Sequence, residues 1–490
     1  MTVPRRRLRA HLSLAGALLL AGCAGAPAYH PAGVYPLGVA SADTFRENGI
    51  WAQAGAVDTP AADWWRALGD PDLDALETSL SGNNPTLAAA LARSEQARQA
   101  LRVAQSDALP TIGSTATLGT DRQSDDRPLR SASQPTYYGD NLAGLGARYE
   151  VDLWGRVKDS VAAGRANAVA GADDAAAIRL SLQAQLATTY IVLRGLDAET
   201  DLLKRNIDVY RQADQVVRDR FAGGVATGID TGRAGAQLAD AEAQLDDVLS
   251  ARANLEHAIA CLIGTPASAF ALRPAVGTLH VAVMPVGLPS TLLQRRPDVA
   301  AAERRMYAAN RAIGVARAAF FPTIDLSAQG GTNATSLAGL ALAGNAFWAV
   351  GPTLALTLFD GGRRTAQVRA ARARWDEAGA TYRVTALTAF QEVEDSLSAL
   401  HHLGDEEQAA TRAAGNAQQA ADLSIMRYQK GVSNYLDVVT AQTTALFEQR
   451  RAIEVHTMRL NATVSLARAL GGGWHPGKAT PGRTPVRPGA

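Results

Sequence analysis

Two stretches of this 490-residue chain repeat each other, and that repetition limits the folds open to it more than any other feature. Asn84-Pro85-Thr86-Leu87-Ala88-Ala89-Ala90 aligns with Arg296-Pro297-Asp298-Val299-Ala300-Ala301-Ala302. The register holds to Leu109-Pro110-Thr111-Ile112 against Phe321-Pro322-Thr323-Ile324, so that both proline pairs are 212 positions apart. A second block sets Arg220-Phe221, Gly224-Val225 and Asp230 against Arg427-Tyr428, Gly431-Val432 and Asp437, now 207 positions apart. The same offset pairs Asn254 with Asn461 and Gly264 with Gly471. The pattern is a tandem duplication over 70–265 and 285–472, with a linker over 266–284.

Each half reads in the same order. A helix opened by proline comes first, at 85–107 and 297–318, where the missing proline N–H costs nothing. A strand, a polar or Gly-rich loop and a second strand follow. A very long helix then runs to an Arg-aromatic-x-x-Gly turn, and a last helix (231–262 in the first half) returns to Gly264 or Gly471. Residues 156–221 lack proline and keep an apolar seam: Leu182, Leu186, Leu193, Leu196, Leu203, Ile207, Tyr210, Val217 and Phe221. Steps of three, four and seven make this a heptad pattern. At ~1.5 Å per residue such a helix reaches roughly 100 Å. It has no globular core of its own and must pack sideways on neighbours, whose approach the abundant alanines allow. A long soluble coiled coil carries the same signature.

The strands alternate. Ala143, Leu145, Ala147, Tyr149, Val151 and Leu153 interleave with Gly144, Gly146, Arg148, Glu150 and Asp152. Trp348, Val350, Leu354, Leu356 and Leu358 interleave with smaller or polar residues, as do Ile324, Leu326 and Ala328, while 112–120 is Gly/Thr-rich. Period two with one apolar face suits a membrane barrel and equally a half-exposed soluble sheet. Aromatic residues near strand ends, Tyr149, Trp154, Phe347 and Trp348, favour the barrel. No run of ~20 apolar residues follows the N-terminus, so entry into a bilayer requires strands. The smallest membrane barrels have about eight strands, so this chain must pool its four with copies of itself, or stay out.

The N-terminus reads as a lipoprotein signal over 1–22. Arg5, Arg6, Arg7 and Arg9 precede a short apolar core, and Leu20-Ala21-Gly22-Cys23 resembles a lipobox. Cys23 then carries the lipid, and Ala24 rather than Asp after it matches outer-membrane sorting. Residues 23–69 form an acylated extended segment, and the Pro/Gly-rich tail 473–490 is expected to be disordered. The remaining cysteine, Cys261, is expected to be small and buried near a helix end, with no intrachain disulfide. Lys+Arg number 48 against 47 Asp+Glu, which argues against a nucleic-acid surface.

Leu292-Leu293-Gln294-Arg295-Arg296-Pro297-Asp298-Val299-Ala300-Ala301-Ala302-Glu303 resembles the hallmark segment of outer-membrane efflux lipoproteins of the OprM/NodT type, within the TolC-like family. So do Ala309-Asn310 with Ile313-Gly314-Val315-Ala316, Asp152-Leu153-Trp154-Gly155-Arg156 and Leu358-Phe359-Asp360-Gly361-Gly362-Arg363. The resemblance spans about residues 60–472. It implies a mainly α fold with a membrane β-barrel. Three protomers would supply four strands each to a twelve-stranded barrel, over a long helical coiled-coil barrel. It also implies a homotrimer set in outer-membrane lipid, a periplasmic adaptor, and an inner-membrane pump of the resistance-nodulation-division class.

For the inner end of the duct, the resemblance implies an aperture ringed by acids early in the returning helices. Here these are Asp230 and Asp437, with Arg427 and Tyr428 on the incoming helix. Some relatives carry a second acid three residues on; this chain has Thr440 there. Asp230 also sits in Thr227-x-x-Asp230, a capping pattern, and an acid in a first turn suits the helix dipole regardless. Gly224, Val225, Gly431 and Val432 are the implied adaptor contacts, although the glycines suit a helix end for its own sake.

No phosphate loop, dinucleotide fingerprint, nucleophile elbow or zinc-protease motif occurs. His401 and His402 are adjacent on a helix, so they are expected to point apart, exposed, with no metal between them. No cofactor is expected. The reading is a passive efflux duct, not an enzyme. A lipid-anchored coiled-coil scaffold without a pore and a type I secretion duct stand as alternatives.

Overall fold

The computed structural model describes residues 25–29, 62–126, 128, 131, 133–277, 279–282 and 295–475. Cys23, the signal segment, Leu292 to Gln294 and most of the Pro/Gly-rich tail lie outside the described residues. A short 3-10 turn, Trp64–Leu68, opens the sequence of elements. It is followed by α1 (Pro71–Asn83), α2 (Pro85–Ser106), β1 (Thr111–Arg122), β2 (Tyr137–Glu150), α3 (Arg156–Ala222) and α4 (Gly228–Leu262). The second series is α5 (Pro297–Ala318), β3 (Thr323–Ala334), β4 (Ala346–Ala355), α6 (Arg363–Gln429) and α7 (Tyr435–Ala469). The duplication shows as equal helices: 22 residues in α2 and α5, 67 in α3 and α6, 35 in α4 and α7.

Helix α1 was not anticipated. Its signal was Asp70-Pro71: the Asp70 carboxylate accepts from the N–H groups of Asp72 and Leu73 at 2.9 and 3.2 Å, and proline takes the first turn. Two strands are shorter at one end than their alternation suggests. Val151 still donates to Ile324 at 2.8 Å, but Leu153 then donates back to Val151. The chain turns through Gly155, whose φ is 76°, into α3. Leu356 and Leu358 likewise lie beyond β4.

Chain contacts group into two units. One holds Met1–Tyr35, Arg93–Gly171 and Ala301–Tyr382, and within it the strands form one antiparallel sheet in the order β1-β2-β3-β4. The register sorts the side chains cleanly. Ile112 faces Ala147, Tyr149 faces Leu326, Ala328 faces Val350, and Ile324 faces Leu354. Residues opposite each other share a face, so these form one apolar surface. It is open to the outside: Ile112, Leu118, Leu145, Val350 and Leu354 are all exposed, and Trp348 is 80% exposed. The other face carries Thr111, Arg148, Asp325, Ser327 and Gln329, with Arg148 held bidentately on Asp325 at 3.1 and 2.9 Å. Just past the strand ends Trp154 stacks on Phe321, centroids 4.8 Å apart, and donates to the Pro322 carbonyl at 2.7 Å.

The other unit holds Pro36–Ala92, Ala172–Ala300 and Arg383–Ala490, and is helical throughout its described secondary structure. The expected seam of α3 forms its core. Leu186, Leu193, Leu203 and Val217 are fully buried; Phe221, at the end, is exposed. Leu203, Ile207 and Tyr210 pack with Ala241 and Val248 of α4 and Leu446 of α7. Each repeat closes its ends with a glycine. Gly264 (φ 73°) lies on the Asn83 carbonyl and Gly471 (φ 88°) on the Arg295 carbonyl, so close that a Cβ at either place would collide with backbone.

Two expectations about isolated residues are corrected here. Cys261 is exposed: Ile259, Ala260, Leu262 and Ile263 supply the buried stripe around it, and it falls on the outer side of α4. His402 is exposed but His401 is half-buried, and the two rings lie 5.0 Å apart. Among the described residues no cluster of His, Cys, Asp or Glu could hold a metal, and no helix is long and apolar enough to cross a membrane.

Candidate functional site

The hairpin tips α3–α4 and α6–α7 bring the sequence-derived residues together within the helical unit. Both turns close in the same way. Gly224 donates to Phe221 and Val225 to Arg220, at 2.9 and 2.8 Å. Gly431 donates to Tyr428 and Val432 to Arg427, both at 2.9 Å. Each glycine has φ of 74°, a left-handed value that side chains resist. The glycines thus have a structural task. The valines beside them, Val225 and Val432, are left 71% and 66% exposed.

Below the turns is a small core of Val217, Ala234, Tyr435 and Val438, flanked by Ile425 and Tyr428. Tyr428 meets Tyr435 edge-on at 5.2 Å. Burial first, and Tyr428 next, push the Tyr435 hydroxyl up to about 12. The Tyr428 hydroxyl is also raised, by burial, while Arg220 pulls it down. Arg220 is the residue that sequence reasoning missed as part of the site. Its Nη1 donates to the Tyr428 carbonyl at 2.8 Å, and its Cζ lies 4.7 Å over the Tyr428 ring. It therefore ties one hairpin to the other. The repeat held the signal, since Arg220 is the counterpart of Arg427.

The acids differ. Asp230 is half-buried in a complete capping box: its Oδ2 accepts from the Thr227 N–H at 3.0 Å and the Thr227 hydroxyl at 2.8 Å. Asp437 has only its backbone N–H engaged, donating to Asn434 Oδ1 at 3.0 Å. Its carboxylate is exposed, with no hydrogen-bond or ion-pair partner among the described residues. Arg427 is exposed as well, so the tip does not pair it with Asp437.

An open-edged sheet with one bare apolar face and long duplicated helices are the architecture expected of a channel-forming protein of the outer membrane. The family model described as "Outer membrane efflux protein" matches residues 77–265 and 288–472, and the chain belongs to that family. It is 34% identical to Outer membrane protein OprJ of Pseudomonas aeruginosa over 467 residues, covering 94% of this chain and 95% of that one. Identity to the pyoverdine export outer membrane protein OpmQ of the same organism is also 34%, covering 95% and 97%. The crystal structure of VceC from Vibrio cholerae superposes with a TM-score of 0.79 at 29% identity, covering 84% of this chain and 99% of that one. The chain is an outer-membrane efflux channel protein, of a family of transport channels rather than enzymes.

Proposed function

We propose that three copies of this chain pool their sheets into a twelve-stranded barrel and act as the passive exit duct of a tripartite efflux system. The sheet carries this reading. β1 and β4 each leave one edge unpaired, and backbone groups in lipid must be bonded. The apolar face suits lipid, and the face with Arg148 and Asp325 suits a wet lumen. Helices such as α3 and α6 then line a duct, with the tips at its inner end.

At that end Asp437, repeated three times, rings the aperture and favours cations. Asp230 holds the shape of its own turn, Arg427 adds a free cation, and Tyr428, gripped by Arg220, sets the spacing of the two hairpins. Gly224, Val225, Gly431 and Val432 present the surface that a periplasmic adaptor meets, and the pump behind it is of the resistance-nodulation-division class. Cys23 carries the lipid anchor after removal of 1–22, and the repeats run over 70–265 and 285–472. Small organic molecules are the cargo, in keeping with the export named for OpmQ. Planar-bilayer conductance of the detergent-extracted protein, with its mass measured in the same preparation, tests this. A trimer with small cation-selective steps supports the duct; a monomer without steps removes it.

A further inference from the structure

Helix α5 has a stripe that the channel reading leaves unused. Glu303, Tyr307, Gly314 and Arg317 are spaced by four, seven and three residues and share one face. Against that face lies the short segment Gly25–Tyr29. The Tyr29 ring meets the Tyr307 ring edge-on, with centroids 5.0 Å apart and planes at 88°. Its hydroxyl donates to the Glu303 carbonyl at 3.4 Å, and burial raises that hydroxyl above the usual tyrosine range. At the other end Arg317 Nη1 donates to the Gly25 carbonyl at 3.2 Å. The segment therefore runs antiparallel to the helix.

Gly314 sits between these two contacts. A Cβ there would collide with the Asp159 carboxylate and stand 2.8 Å from the Ala26 backbone nitrogen. Asp159 is buried and faces Arg311 at 3.5 Å, so it has little room to swing away. The first half has no equivalent. In register, Leu91, Glu95, Arg102 and Gln105 stand where Glu303, Tyr307, Gly314 and Arg317 stand in the second half, and all four are exposed. An arginine in place of the glycine would bar the segment from that copy.

We infer that this face of α5 is a seat for the chain's own N-terminal segment, with Tyr29 as the side chain that fills it and Gly314 as the position that must stay bare. Tyr29 is six residues beyond Cys23. The seat thus fixes the chain within a few residues of the position read as the lipid-bearing one. Its purpose rests on the lipidated-Cys23 reading; its geometry does not.

The test uses the full-length protein, extracted with its acyl chains into phospholipid vesicles. Cys261 is replaced by serine and a nitroxide is placed at Ala28→Cys, an exposed position. The mass of the N-terminal peptide reports acylation in each preparation. The nitroxide is expected to be immobilised in the parent. Tyr29→Ala and Gly314→Leu should each release it, shortening its rotational correlation time severalfold, with acylation unchanged. Equal mobility in the parent and Tyr29→Ala would overturn the seat; that variant leaves α5 intact and decides the matter even if Gly314→Leu misfolds. An unacylated peptide with a nitroxide that is fixed in the parent and released by Tyr29→Ala would keep the seat and remove the lipoprotein reading.

Discussion

At Gly224 and at Gly431 the chain reverses through the same turn, with φ of 74° at each glycine and the valine N–H bonded to the arginine carbonyl five residues back. The side chains around the two turns behave differently. At the first tip both charged groups are engaged: Arg220 crosses to Tyr428 and Asp230 closes a capping box. At the second, Arg427 and the Asp437 carboxylate are both left to solvent. Duplication supplied one backbone twice. One copy then holds the hairpins together, and the other leaves its charges to solvent, where the proposed aperture would use them.

The largest expected effect concerns the same contrast, a charge with partners against one without, at Glu77 in α1. This residue is fully buried and neither carboxylate oxygen is hydrogen-bonded. Burial, then Asp74, push it up to about 9, so the folded protein holds a proton that the unfolded chain releases near 4.5. Its contribution to stability is therefore full below about 4.5 and lost as pH rises through about 9. Glu77→Gln should flatten that decline, gaining several degrees in Tm at alkaline pH and little at acid pH. A uniform shift at all pH values would show that Glu77 does not titrate in this way.

Next is Arg220→Ala. A hydrogen bond from a charged donor contributes roughly 1.5–3 kcal/mol, and the cation–π contact about 0.5–1 more. Loss of both should weaken the hold of one hairpin on the other and shift the local opening equilibrium of the tip about tenfold or more, read as hydrogen exchange at the end of α6. Arg427→Ala should change it far less, and equal effects would erase the distinction between the tips. Asp230→Ala comes third: loss of the capping acceptor should cost about 1 kcal/mol of local stability, visible as faster hydrogen exchange in the first turn of α4. Smallest is Asn434→Thr, which with Asp437 would build a second capping box and change stability by a few tenths of a kcal/mol. Its informative readout is cation selectivity, which should fall as the Asp437 carboxylate is drawn into the box; unchanged selectivity would mean that the box does not form.

Much of the architecture was legible because it is periodic. Heptad spacing located α3 to within a residue of its end, and alternation located β2, β3 and β4, since both patterns follow from which side chains must face a neighbour; the Gly/Thr-rich β1 showed it only weakly. Pro85 and Pro297 marked helix starts for a backbone reason that burial does not alter. What escaped was what depends on partners distant in sequence. Arg220 and Arg427 hold the same place in the repeated Arg-aromatic-x-x-Gly turn; the approach of Tyr428 from the other hairpin separates them. Cys261 was misjudged because composition favours burial, while its angular position on α4 turns it outward. Gly314 appeared as one motif glycine among several until Asp159 and Ala26 were found against it.

Single-channel conductance of Asp437→Ala beside Asp230→Ala, in planar bilayers and with trimer mass confirmed for each, tests the account most directly. The account predicts that Asp437→Ala raises conductance and weakens cation preference while Asp230→Ala leaves both near the parent values. Equal changes in the two variants, or none in Asp437→Ala, would contradict it.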